Sequence, residues 1–180
     1  MSPLRRFALV ALCALSLSAC IDSAAPILTD SQPLLGPTFR LQFFSLRKGV
    51  AHDPEQARYV WNGKQYAHAG GAMADVQAFT VHAFEGNDSI VQSVPDERQH
   101  TTEYGLLRRL VDGVFLFVPI DQDDADDATR AKHCRQVEKS YCRVETREQL
   151  FAFARATAAR RSDNGGLVIR LRDDADKGVK

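Results

Sequence analysis

The chain has 180 residues, 23 Lys and Arg against 23 Asp and Glu, and a hydrophobic fraction of 44%. This length suits one domain with a real core. No basic stretch is sustained enough for nucleic-acid binding, so nucleic acid is excluded as an expected partner. Beyond the N-terminal region, no apolar run reaches the roughly 20 residues that a membrane-spanning helix needs.

The first residues, MSPLRRFALVALCALSLSAC, have the order of a secretory leader. Two arginines (Arg5 and Arg6) precede a mostly apolar run over residues 7–17, and two small residues precede Cys20. This order is typical of a signal peptide, which we predict over residues 1–19. The mature chain would then have 161 residues, with 21 basic residues against 23 acidic ones and a net charge of −2.

The stretch Leu17-Ser18-Ala19-Cys20 resembles the lipobox of bacterial lipoproteins, in which a Leu stands three residues before an invariant Cys. The resemblance implies that the Cys20 thiol receives a diacylglycerol, and that cleavage before Cys20 and N-acylation, for example with palmitate, follow. Three acyl chains would anchor the protein firmly, because one chain alone gives marginal membrane binding. The alternative is an ordinary signal peptide whose cleavage region contains a cysteine.

The residue after Cys20 bears on location. In the enterobacterial sorting rule, an Asp directly after the lipidated Cys retains a lipoprotein in the inner membrane. Here Ile21 holds that place, and Asp22 follows it. By resemblance, we expect a lipid-anchored protein at the periplasmic face of the outer membrane of a Gram-negative bacterium.

The remaining cysteines predict a disulfide. Cys13 would leave with the signal peptide and Cys20 would be acylated, which leaves Cys134 and Cys142 as an even pair in an oxidising compartment. The alternative is a metal site that includes His133, but a structural zinc site takes four ligands. We therefore predict no metal and no other cofactor.

Residues 21–37 are rich in Ala, Ser and Pro, so with the lipidated Cys20 they are interpreted as a flexible tether over residues 20–37. A single β-rich domain is predicted over residues 38–172. Residues 173–180 are predicted to be a disordered tail.

Tight turns punctuate the first part of this domain. Asn62-Gly63, Glu85-Asp88 and Asp112-Gly113 each lie between two strand-like runs, which predicts three hairpins. Hairpins in sequence imply an antiparallel meander. Residues 114–118, VFLFV, are apolar on both faces and predict a strand buried on both sides. The strand-like runs cover residues 39–46, 58–61, 64–69, 75–84, 89–94, 102–111 and 114–120.

The pattern changes after residue 120. Residues 121–134, DQDDADDATRAKHC, predict a surface helix with acidic residues at its start and basic ones at its end. The alternative is a calcium loop, but Asp126 and Lys132 hold the places where an EF-hand requires Gly and Glu. Residues 145–160 form the clearest helix, with a Thr146–Gln149 capping box. Residues 167–171 predict a last strand.

The predicted fold class is mainly β (α+β): an antiparallel meander sheet or small barrel, with a C-terminal helix followed by one strand. The element order resembles the lipocalin family, which has an eight-stranded meander barrel, then a helix and a short strand. That resemblance implies a ligand cavity inside a barrel. The family's Gly-x-Trp motif is missing from residues 36–46, so the resemblance is one of element order alone.

No catalytic motif emerges from the sequence. His82 alternates with Thr80 and Phe84 along a strand, which favours a hydrogen-bonded position in the sheet over a catalytic role. Arg108 and Arg109 are adjacent on a strand, so their side chains point to opposite faces. If one of them is buried, it would need a carboxylate partner. We therefore predict a non-catalytic envelope lipoprotein with a protein partner. The alternatives are a carrier of a small hydrophobic ligand and an unrecognised enzyme. In a carrier, the aromatic residues would line a ligand cavity. We expect instead that they fill a solid core. These residues are Phe39, Phe43, Phe44, Tyr59, Trp61, Phe79, Phe84, Phe115 and Phe117.

Overall fold

The computed structural model describes residues 21–45, 55–71, 76–96, 100–138, 141–160 and 167–172. The predicted signal peptide with Cys20 and the predicted tail over residues 173–180 lie outside these ranges.

Eleven strands and two helices make up the described fold. The helices are α1 (Asp127–His133) and α2 (Arg147–Ala159), and a short 3₁₀ turn covers Gln122–Asp124. In chain order the strands are β1 (Ile21–Ser23), β2 (Thr38–Ser45), β3 (Glu55–Trp61), β4 (Tyr66–Gly71), β5 (Ala78–Ala83), β6 (Asp88–Ser93), β7 (Thr102–Val111), β8 (Val114–Pro119), β9 (Arg135–Glu138), β10 (Tyr141–Arg143) and β11 (Leu167–Arg172).

Eight of these strands form a closed antiparallel barrel. Strands β2 to β8 follow one another as a meander, and β11 pairs with β8 on one side and β2 on the other. The predicted fold class, mainly β with an antiparallel meander, is therefore confirmed. Of the two predicted forms, an open sheet or a small barrel, the chain adopts the barrel. The lipocalin resemblance implied eight meander strands before the helix. Here seven precede it, and the strand after the helix closes the barrel.

The two ends of the barrel differ. At the end that we call the turn end, short turns join β3 to β4, β5 to β6 and β7 to β8. Gly63 and Gly113 lie in two of these turns, with backbone φ angles of 95° and 72°. Residues other than glycine rarely adopt such positive φ angles. The opposite end, which we call the mouth, carries Ser93, Glu103 and Pro119. The connecting residues 46–54, 72–75, 97–99 and 161–166 fall outside the described ranges.

Two apolar cores flank the barrel wall because side chains alternate along each strand. Val91 and Leu107 belong to the core inside the barrel, whereas Ile90 and Leu106 belong to a second core outside it. Helix α2 covers this outer core with Leu150, Phe153 and Ala154, all fully buried. The predicted capping box is present: Thr146 Oγ1 accepts from the Gln149 N–H, and the Gln149 side chain accepts from the Thr146 N–H.

Residues 21–37 are part of the folded domain, which corrects the prediction of a flexible tether. Ile21, Asp22 and Ser23 are 0%, 1% and 2% exposed, because β1 lies between β7 and β10. Residues 24–37, which we call the strap, then run along the outside of the barrel to β2. Their Ala, Ser and Pro content suggested a linker, but Leu28 is buried in the outer core.

Strand β8 differs from its prediction. Residues 114–118 were expected to be buried on both faces, yet all are only partly buried. Phe115 and Phe117 face a space inside the barrel, and the outward side chains are partly open to solvent. Strands β1, β9 and β10 were not predicted at all.

The acidic segment forms a short surface helix, as predicted. Asp126 caps α1 by accepting from the Thr129 N–H at 2.7 Å, and Arg130 pairs with Asp127. Arg160 pairs with Asp124 at 3.1 Å, which ties the segment to the end of α2.

Candidate functional site

A cavity of about 320 Å³ lies inside the barrel. Its wall is almost entirely apolar because it is built mainly from the inward-facing positions of the strands. Seven of the eight barrel strands contribute, together with the strap and the segment before β5. The wall consists of Leu35, Leu41, Tyr59, Val76, Phe79, Val91, Ser93, Glu103, Tyr104, Gly105, Leu107, Phe115, Phe117, Pro119, Leu167, Ile169 and Leu171.

Gly105 gives the cavity part of its shape. It lies on β7 opposite Pro119 of β8, and a Cβ placed on it would overlap the ring of Phe117. The missing side chain therefore leaves room for the Phe117 ring next to the β7 backbone. A larger residue at Gly105 would push this ring into the cavity.

An aromatic cluster fills the part of the barrel next to the cavity. Phe39 and Tyr66 pack edge to face with ring centroids 5.0 Å apart, and Tyr59 and Phe79 do so at 4.9 Å. Trp61 packs on Tyr66, also at 5.0 Å. The expectation of a solid aromatic core is right for Phe39 and Trp61, whereas Tyr59 and Phe79 also border the cavity.

Two other aromatic residues depart from that expectation, because Phe115 and Phe117 line the cavity. Phe84 packs on the outer core, against Phe151 of α2. The side chains of Phe43 and Phe44 are outside the described part of the chain.

The strap closes the turn end. Leu35 belongs to the cavity wall, and its N–H donates to the Tyr66 hydroxyl at 2.9 Å. The same hydroxyl donates to the Gly36 carbonyl at 3.1 Å, and the Trp61 N–H donates to the Pro37 carbonyl at 2.8 Å. Two hydrogen-bonding aromatic residues therefore fix the strap across this end.

Polar groups in the wall are few. The Tyr59 hydroxyl donates to the Val76 carbonyl at 3.0 Å, and burial raises its pKa to about 12, so it stays neutral. The Tyr104 hydroxyl shares a 2.6 Å hydrogen bond with Ser23. Ser93 and Glu103 lie together at the mouth, where the Glu103 N–H donates to Ser93 Oγ at 2.8 Å. Both are partly exposed and Pro119 is exposed, so the wall meets solvent here.

The chain matches no protein-family model, no curated protein and no solved structure. Its site is therefore interpreted from geometry alone.

None of the helices that the structure describes is long and apolar enough to cross a bilayer. Within the described ranges, no group of His, Cys, Asp and Glu side chains is arranged to hold a metal ion.

The predicted disulfide is confirmed. Cys134 and Cys142 are bonded with their Cα atoms 5.3 Å apart, and the bond joins the end of α1 to β10. Cys142 is also the register partner of Ile21 in β1. The disulfide thus supports the strand that opens the domain, and neither cysteine is in the cavity wall. Cys20, the predicted lipidation site, lies outside the described residues.

Two other residues that the sequence singled out have structural partners. His82 is 5% exposed and its Nε2 hydrogen-bonds Thr80 Oγ1 at 2.8 Å, as a satisfied sheet position requires. Arg108, whose side chain is 35% exposed, makes two 2.8 Å hydrogen bonds to the Asp88 carboxylate, so it has the kind of partner that was expected for a buried arginine. Arg109 is exposed and pairs with Asp112.

Most of the cavity wall escaped the sequence analysis. Hydrophobic alternation identifies which side chains share a strand face, but it does not say whether they meet across the barrel. The available signals were Gly105 inside an apolar strand, which indicates a close approach of another group, and the strand after the helix, which closes the barrel.

Proposed function

We propose that this protein is a non-catalytic, lipid-anchored binding protein that holds a small hydrophobic ligand inside its barrel. The cavity of about 320 Å³ is the observation that carries the proposal. The sequence favoured binding to a protein partner because a solid core was expected inside the sheet. A solid core would leave no room for a ligand, whereas the cavity does, so ligand binding becomes the preferred function.

The cavity's size suggests the scale of the ligand. Its volume of about 320 Å³ is at the lower end of the roughly 300–1,000 Å³ of ligand pockets. It is about twice the roughly 150 Å³ of an engineered apolar cavity that binds benzene. A molecule with two or three aromatic rings, or an acyl chain of similar bulk, therefore suits the space.

The chemistry of the wall favours an apolar ligand. The inward-facing side chains are mainly Leu, Ile, Val and Phe, and the Tyr59 hydroxyl is already bonded to Val76. A polar group placed deep in this cavity would lose its hydrogen bonds to water without replacement, which is costly. A ligand with one polar group would turn it toward Ser93 and Glu103 at the mouth.

The proposed location rests on the N-terminal sequence. The lipobox-like stretch ending at Cys20 supports acylation, and Ile21 after it supports an outer-membrane position facing the periplasm. A lipid-anchored protein with an apolar cavity would act as a carrier or reservoir in the cell envelope.

The test uses residues 21–180, exported to the periplasm behind a cleavable signal without a lipobox and purified without detergent. This chain retains every strand and helix of the described fold. N-phenyl-1-naphthylamine, a fluorescent two-part aromatic probe, is titrated into it. We expect saturable binding with one site per chain.

Two matched variants locate the probe. Val91→Trp fills the cavity from β6 and should abolish binding. Val168→Trp adds the same bulk on β11, between the inward-facing Leu167 and Ile169 and therefore on the outer face, and should leave binding unchanged. Probe binding that survives in Val91→Trp, or its absence from the parent chain, would overturn the proposal.

A further inference from the structure

The fold begins directly after the predicted lipidation site. Cys20 is followed at once by β1, in which the Ile21 side chain is fully buried and the Ile21 N–H donates to the Ile120 carbonyl at 3.1 Å. Consecutive Cα atoms are about 3.8 Å apart. No flexible spacer therefore separates the described domain from the residue that would carry the lipid.

Strand β1 lies at the mouth of the barrel. Asp22 is the register partner of Glu103, and Ser23 is the partner of Thr102. Ile120, which accepts the Ile21 N–H, directly follows Pro119 of the cavity wall. The chain thus enters the fold beside the residues that form the rim of the cavity.

Several contacts also fix β1 to strand β10 and to the residue that follows it. The Asp22 carboxylate, 1% exposed, pairs with Arg143 at 3.3 Å, and the Asp22 carbonyl accepts the Val144 N–H at 2.9 Å. The disulfide at Cys142 constrains the neighbouring strand β10. A lipid at Cys20 would therefore be attached to a rigid point rather than to a mobile arm.

We propose that the N-terminal lipid holds the mouth of the barrel at the bilayer surface, so that the apolar ligand passes directly between membrane and cavity. This inference rests on the proposed function and on acylation of Cys20. A six-residue strand spans about 20 Å, so the turn end would be held roughly that much farther from the membrane.

The geometry explains how an apolar ligand would avoid water. A ligand leaving the bilayer would meet the solvent-accessible rim at Ser93, Glu103 and Pro119 before the bulk solvent. The turn end, closed by the strap at Leu35 and Tyr66, would face the periplasm. The ligand source is accordingly the lipid bilayer itself.

The test uses the full acylated protein in phosphatidylcholine vesicles that contain lipids with a spin label at the headgroup. A fluorophore is attached to a single added cysteine, either Pro119→Cys at the mouth or Lys64→Cys at the turn end, with the native disulfide intact. We expect strong quenching of the label at position 119 and weak quenching at position 64. Equal quenching at both positions would overturn the proposed orientation.

A linker variant supplies the control. About 30 Gly and Ser residues inserted between Cys20 and Ile21 would span roughly 30 Å as a flexible coil. The protein would remain anchored, and we expect the difference between the two labels to be lost. A difference that persists would mean that something other than the short attachment orients the domain.

Ligand transfer is measured in the same vesicles. The vesicles are loaded with N-phenyl-1-naphthylamine, and its uptake by the anchored protein is followed by stopped-flow fluorescence. We expect uptake to be slower in the linker variant than in the parent protein. The unanchored domain, residues 21–180, should still bind the probe. Unchanged uptake would overturn direct transfer. Loss of probe binding by the unanchored domain would instead contradict the proposed function, and the quenching result would still decide the orientation.

Discussion

Gln92 is the residue whose loss should most clearly show that the strap belongs to the fold. Its side chain is 1% exposed on the outer face of β6. Its Oε1 accepts the N–H groups of Ile27 and Leu28 at 3.1 and 2.9 Å, and its Nε2 donates to the Leu28 carbonyl at 3.0 Å and to Thr80 Oγ1 at 3.2 Å. One buried amide thus satisfies three backbone groups of the strap.

Gln92→Leu keeps much of the volume and removes all four bonds. The N–H and C=O of Leu28 would remain buried without partners, at about 1–3 kcal/mol for each group. Since the strap can shift to admit some water, we expect a loss of about 2–4 kcal/mol in the free energy of unfolding. For a domain of this length, that lowers Tm by about 4–16 °C, at about 2–4 °C per kcal/mol.

The assay is urea and thermal unfolding followed by circular dichroism. Gln56→Leu is the matched control, because Gln56 is exposed on β3 and should change stability by no more than about 0.5 kcal/mol. Amide hydrogen exchange should also accelerate over residues 27–35 in Gln92→Leu alone. If Gln92→Leu is as stable as Gln56→Leu, the Gln92 amide does not hold the strap.

Three further predictions concern single residues. Cys20→Ser should leave an unlipidated precursor, detected as full-length chain by mass spectrometry, and normal acylation of this variant would contradict the lipobox assignment. Cys134→Ala should lower the free energy of unfolding by roughly 2–3 kcal/mol through the lost loop constraint. It should leave one free thiol at Cys142, which is 0% exposed and should react with an alkylating reagent once the chain is unfolded, whereas reaction of both thiols in the native parent would contradict the disulfide. Burial lowers the pKa of His82 below its ordinary 6.5. As pH falls below about 6.5, His82 is therefore protonated more readily in the unfolded chain than in the folded one, and the folded state loses stability. His82→Gln should flatten this part of the stability–pH curve, and an unchanged curve would show that another group is responsible.

The sequence was most informative where a local signal has one physical outcome. Asn62-Gly63 and Asp112-Gly113 required turns, and Thr146 with Gln149 began the long helix. The even cysteine pair formed its disulfide. Each of these signals acts over a few neighbouring residues, so no knowledge of the barrel was needed to interpret it.

The tether prediction failed because the contacts that order residues 21–37 are distant in sequence. Gln92 lies 64 positions from Leu28, and Arg143 lies 121 positions from Asp22. The Ala, Ser and Pro content of residues 21–37 indicates how this segment would behave in isolation. It does not indicate that Ile21–Ser23 pair with β7 and β10.

The cavity was equally beyond the sequence. Phe115 and Phe117 have the apolar character of a buried strand, and only barrel closure by β11 decides that their rings face an open space. The choice between a packed core and a ligand site depends on volume, which alternation does not encode.

Native mass spectrometry can show whether the barrel carries a ligand. Residues 21–180 would be purified without detergent from the periplasm of the native host, and their mass compared with that of Val91→Trp. We expect a small apolar molecule to accompany the parent chain, one per chain, and to be missing from Val91→Trp. A bare mass for the parent chain, together with no binding of N-phenyl-1-naphthylamine, would contradict a ligand-binding barrel.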